Sequence, residues 1–128
     1  MMVLLIPCKL CAVTPSIETL QAKPYEIIVH ESTQVTISAR IAGDPRRVPS
    51  KVRLLRLQWA GNEREVSRMW DDGTHGDRVK NDGLYTCKLK LKEPVTGVVS
   101  FRVEAFYPDR PEPVRSQPIF ITVVGGLR

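Results

Sequence analysis

LYTCKLKLK, residues 84–92, holds the clearest period of two in the chain. Tyr85, Cys87, Leu89 and Leu91 fall on one side, and Thr86, Lys88, Lys90 and Lys92 on the other. Successive side chains of a strand point to opposite faces, so this spacing gives a strand with an apolar face and a lysine face. Upstream, QVTISARI (34–41) repeats the pattern with Val35, Ile37, Ala39 and Ile41. Downstream, VVSFRVEAFY (98–107) repeats it with Val99, Phe101, Val103 and Ala105. Three half-apolar strands need a common core.

Further strands are expected in YEIIVHES (25–32), KVRLLRLQWAG (51–61), REVSRMW (64–70) and IFITVV (119–124). Within 51–61, Val52 and Leu54 sit on the opposite parity from Leu55, Leu57 and Trp59, which a bulge at Leu54-Leu55 would reconcile. AGDPRRVPS (42–50), EPVTG (93–97) and PDRPEPVRSQP (108–118) carry the proline, glycine and aspartate of turns. No segment holds a helical period. About seven strands with turns every ten residues or so predict an all-β, antiparallel β-sandwich. Its expected core is Val35, Ile37, Ala39, Leu57, Tyr85, Leu89, Phe101, Val103 and Ile121, with Trp59 packed beside Leu55 and Leu57.

The 128 residues make one domain's worth of chain, and 42% hydrophobic with 26% charged residues argues against wholesale disorder. Residues 15–124 are assigned to the sandwich. Residues 1–14, which include MMVLLIPCKLCAV, are a leader or a first strand, and 125–128 a linker or tail. No run approaches the ~18 apolar residues of a membrane span. The net charge of +5 is dispersed without a basic block, which argues against nucleic acid as a partner. Cys8 and Cys11 lack the two further ligands of a structural zinc site, and an odd total of three cysteines leaves at least one unpaired.

DDGTHGDRVKNDGLY (71–85) gathers four aspartates, an asparagine and glycines in one loop. Three readings compete. A tight turn selects Asp for capping free amides and Gly for positive φ, with Asp82 and Gly83 aiming Tyr85. A Ca²⁺ site would take oxygens from Asp72, Asp77 and Asp82, with Asn81 nearby, although the EF-hand spacing is missing. A catalytic carboxylate pair, with His75 as base, would need a cleft and a positioning shell that nothing else in the sequence supplies. The turn ranks first, calcium second and catalysis last.

A tyrosine two residues before an inward cysteine also matches the tyrosine corner of immunoglobulin-like sandwiches, with Tyr85 bonding back to nearby backbone and Cys87 a small buried hydrophobe. From about Thr14 to Val124 the chain resembles an immunoglobulin-like domain of secreted or surface bacterial proteins carrying a D-D-G-x-x-G-D-x-x-x-x-D-G-x-Y loop. The match lies at Asp71, Asp72, Gly73, Gly76, Asp77, Asp82, Gly83 and Tyr85. The resemblance implies an extracellular or cell-surface module, not an enzyme, that serves as a spacer, adhesion element or accessory to neighbouring domains of the same polypeptide. A rival reading is a module binding carbohydrate through Trp59 and Trp70, or an anionic polymer through Lys88, Lys90 and Lys92 joined by Arg102. A hydrolase using the aspartate loop is the remote one.

Overall fold

The computed structural model describes residues 14–44, 47–71 and 83–126. Among them the chain forms strands β1 (Ser16–Lys23), β2 (Glu26–Ile28), β3 (Thr33–Ala42), β4 (Lys51–Leu57), β5 (Glu63–Arg68), β6 (Leu84–Leu91), β7 (Gly97–Phe106), β8 (Val114–Arg115) and β9 (Ile119–Val124). Among the described residues the one helical turn is a 3₁₀ turn at Trp59–Gly61. The alternating segments are strands, as their period requires.

Two sheets face each other. One has the order β1-β3-β6, the other β2-β9-β7-β4-β5, with β8 added beside β7. The chain crosses between the sheets five times, at β1–β2, β2–β3, β3–β4, β5–β6 and β6–β7. The two layers of an immunoglobulin-like fold recur here: a three-stranded sheet against a larger one in which the last strands neighbour the central hairpin. All pairs are antiparallel except β2 with β9, which run parallel in the register Glu26↔Thr122, Ile27↔Val123 and Ile28↔Val124. The chain is therefore an immunoglobulin-like β-sandwich with one parallel edge.

The core lies between the sheets. Val35, Ile37 and Ala39 from β3, Val52 and Leu54 from β4, Phe101, Val103 and Ala105 from β7, and Ile121 from β9 are buried together. Tyr85 and Leu89 are half-buried against that cluster. Leu57 does not join it. The ladder from β4 to β7 runs without interruption through Leu54↔Val103 and Leu55↔Arg102, so Leu54 faces inward and Leu55 outward. The expected irregularity does occur at Leu54/Leu55, but in the pairing with β5, where the partner jumps from Ser67 to Glu65. Val66 is thus the extra residue, and the two leucines keep opposite faces.

Leu55 is nonetheless buried, at 2% exposure. Its cover is a lattice of ions on the outer face of the larger sheet. Glu104 accepts from Arg53 Nη2 at 2.6 Å and Arg115 Nε at 3.0 Å, while Glu63 engages Arg115 and Arg102. Arginine stems on such a face can shield apolar surface while their heads meet carboxylates, which accounts for the burial of Leu55 outside the main core.

Trp59 departs furthest from expectation. It sits on the tip of the β4–β5 hairpin, 87% exposed, where Gln58 N–H donates to Asn62 O at 2.7 Å. Ala60 and Gly61 both take positive φ, 65° and 76°, which turns the chain before a core contact can form.

The sandwich has two poles. Ends of β4, β6 and β9 and starts of β3, β5 and β7 meet at the hairpin pole, since Leu57 pairs with Ser100, Thr33 with Leu91 and Gly97 with Val123. Pro15, Gly43, Asp71, Gly83 and Tyr107 lie at the opposite, loop pole, where they line one groove.

Candidate functional site

At the loop pole, the described ends of the aspartate loop are tied together. Asp71 Oδ2 accepts from Gly83 N–H at 2.9 Å, and Gly83 O accepts from Ile41 N–H at 2.9 Å. Gly83 has φ +82°, and a Cβ there would stand 3.3 Å from Ile41 O, so glycine is required twice over. The aspartate seen closing the turn is Asp71, twelve residues ahead of its partner, and no local signal in the sequence pairs them. Asp72, Asp77, Asp82, Asn81 and His75 lie outside the described residues, as do Cys8 and Cys11. Replacing Asp71 with alanine should cost about 1 kcal/mol, the net value of one side-chain hydrogen bond, read as a lower urea midpoint.

Beside this tie lies a groove of about 730 Å³ lined by Pro15, Ile41, Arg47, Asp71, Tyr85 and Tyr107 among others. Its ionic groups are already engaged. Arg47 pairs with Asp109 at 2.8 Å and stacks over Tyr107, 5.6 Å from the ring centroid. Burial pushes the Tyr107 hydroxyl above its ordinary value, against the nearby arginines. Arg40, Asp44, Asp71 and Tyr85 also have partners. The groove is a joint between loops, made of satisfied groups. Tyr85 itself starts β6, in the three-stranded sheet opposite Ala39. A tyrosine corner belongs to the following strand of the other sheet, so the corner assignment fails on topology.

Cys87 is buried on β6, and desolvation raises its thiol to about 11 against a weaker opposing hydrogen bond from Ser67. A thiol held there is neither a nucleophile nor a ligand at neutral pH. Among the described residues, no group of three or more His, Cys, Asp or Glu is gathered as a metal site, and no helix is long and apolar enough to cross a membrane.

The two tryptophans cannot share a platform. Trp59 is at the hairpin pole, whereas Trp70 bridges to Thr86 and stacks with Arg68, 5.3 Å from its ring, at the other end of β5. The strand between them spans about 20 Å at 3.3 Å per residue. Arg102 likewise does not extend the lysine row. It stands on the outer face of the larger sheet, paired with Glu63 at 3.4 Å, while Lys88, Lys90 and Lys92 are exposed along β6 and just beyond it.

Two features escaped sequence reasoning. The first is a bidentate bridge between the sheets: Arg56 Nη1 and Nη2 donate to Glu93 Oε2 and Oε1 at 2.8 and 2.7 Å. The hydrogen bonds from Arg56 hold the Glu93 carboxyl below its ordinary value, and those same bonds raise Arg56. Next to it a crevice of about 370 Å³ opens between β5 and β6, with Val66, Leu89, Leu91 and Phe101 in its walls. The second is the apolar surface at the hairpin pole. Trp59 (87%), Val95 (68%) and Val98 (62%) are exposed there, and Phe120 (57%) continues the surface along β9.

No family model matches the chain, and no curated protein matches it. Among solved structures it is similar to the CARDB domain of the PF1109 protein from Pyrococcus furiosus, a structure described as a complex with di-metal ions. There the identity is 9% and the TM-score 0.49, over 89% of this chain and 96% of that one. It is also similar to the Lin-41 filamin domain, at 16% identity and TM-score 0.37, over 91% of this chain and 97% of that one.

Proposed function

We propose that the chain is a non-catalytic immunoglobulin-like module of a larger secreted or cell-surface protein, and that a neighbouring domain of that polypeptide packs against its hairpin pole. The observation that carries this reading is that Trp59, Val95 and Val98 are all exposed at that pole. Single exposed apolar residues are ordinary, but a tryptophan grouped with two valines is the composition of an interface centre. The group sits where the last strand leaves the sandwich, since Val123 pairs with Gly97 at that pole. A following domain would meet it first. The placement outside the cell rests on the loop that resembles those of secreted and surface proteins.

The test compares the 128-residue chain with a longer product of the same reading frame. In the short chain, Trp59 should be open to acrylamide, and Trp59→Phe should change stability by no more than about 0.5 kcal/mol. In the longer product Trp59 quenching should fall and its emission shift to the blue. Equal quenching in both would overturn the docking role.

A further inference from the structure

The cations of this molecule are unevenly settled. On the outer face of the larger sheet Arg53, Arg102 and Arg115 each meet a carboxylate. On the flank between β5 and β6, Lys88, Lys90, Lys92 and Arg64 have no ion-pair partner among the described residues. The backbone there is open too. Thr86 exchanges both of its hydrogen bonds with Trp70, N to O at 2.9 and 3.0 Å, so the N–H and C=O of Thr86 point away from β3. Antiparallel pairing alternates, so the N–H and C=O of Lys88 and Lys90 point the same way. Beyond Trp70 no described strand lies along that edge.

We propose that this edge of β6 is a template for an extended acidic peptide, which adds as a further strand to the three-stranded sheet. Such a strand would hydrogen-bond the main chain of Lys88 and Lys90, and its side chains would alternate between two environments. Those on the outer face would lie beside the Lys88 and Lys90 ammonium groups, which suit Asp or Glu. Those on the inner face would meet the crevice, where Val66 and Leu89 lie among Arg56, Glu65 and Glu93 and whose modest size suits small side chains such as valine. Arg64 also lines that crevice and adds to the positive field the peptide meets. The partner is therefore a segment alternating acidic and small residues. The open backbone edge favours a peptide over a polyanion, which would use the ammonium groups alone. This surface is separate from the hairpin-pole surface, and the two readings stand or fall independently.

The test titrates the isotope-labelled 128-residue chain with a short peptide alternating glutamate and valine, and follows amide exchange at Lys88 and Lys90. Slower exchange at both amides on binding is expected, with affinity that falls as salt rises. Peptide N-methylated along the edge that would face β6 should not bind. Lys88→Gln with Lys90→Gln should weaken binding about two- to tenfold, the worth of two exposed ion pairs. Unprotected Lys88 and Lys90 amides at saturation would overturn the proposal. So would equal binding of the N-methylated peptide, or a heparin fragment that binds where the parent peptide does not, since the row would then be a polyanion patch.

Discussion

Glu93→Ala should lower the unfolding free energy by about 3 kcal/mol, the usual cost of stripping one partner from a largely buried ion pair. The Glu93 side chain is 10% exposed and that of Arg56 23%, so little water replaces the lost carboxylate. The guanidinium would remain wedged between the sheets with both of its Glu93 bonds unmade. Arg56→Met combined with Glu93→Leu should recover much of the loss, because paired removal leaves no uncompensated charge. The sign with pH follows from the depressed Glu93 carboxyl. Its contribution is complete above the ordinary carboxylate value of about 4.5 and is lost as pH falls through the lower folded-state value. Urea midpoints at neutral pH and near pH 3 should therefore converge more closely in Glu93→Ala than in the parent chain. A parent chain as stable in acid as at neutrality would contradict this account.

The other large effect is expected at Phe101. It is fully buried in the central strand of the larger sheet, and its replacement by alanine should cost about 3–5 kcal/mol. Domains of this size have about 5–15 kcal/mol in total, so the variant should lose roughly a fifth or more of its stability in an equilibrium urea titration. Phe101 also pairs directly with Arg56 across β4 and β7. The cavity would lie under the inter-sheet bridge, and Phe101→Ala with Glu93→Ala should not add, because contacting sites couple.

The alternating segments made the fold legible. In 34–41, 84–92 and 98–107 one parity is wholly apolar and the other mainly polar, so alternation names the inner face as well as the strand. KVRLLRL lacked that contrast. Both Leu54 and Leu55 are apolar, and either parity could have been the core. The choice was made by partners distant in sequence, because the ladder to β7 sets Leu54 against Val103 on the inner face and Leu55 against Arg102 on the outer one. Trp59 was misplaced for a related reason. Its parity with Leu55 and Leu57 suggested burial, while Gly61 and Asn62 just after it signalled the hairpin turn that exposes it. The lysine row was visible as a pattern, but the open backbone edge beside it depends on the single bridge of Trp70 to Thr86. The base of the aspartate loop depends on one bond from Asp71 to Gly83, and its composition announced a turn without saying which aspartate would close it.

The parallel pairing of β2 with β9 bears on how the module would carry load. The chain enters at the loop pole, where Ser16 pairs with Ala42, and leaves at the hairpin pole beyond Val124. Tension applied between the two ends would pull β2 towards one pole and β9 towards the other, along their common direction. Thr122 N–H to Tyr25 O at 2.9 Å and Val29 N–H to Val124 O at 2.8 Å stand among the bonds across that seam. Parallel strands drawn in opposite senses strain all such bonds together, whereas a hairpin peeled from its open end breaks them one after another. A row of such modules pulled from its ends would resist extension by shear, not by unzipping.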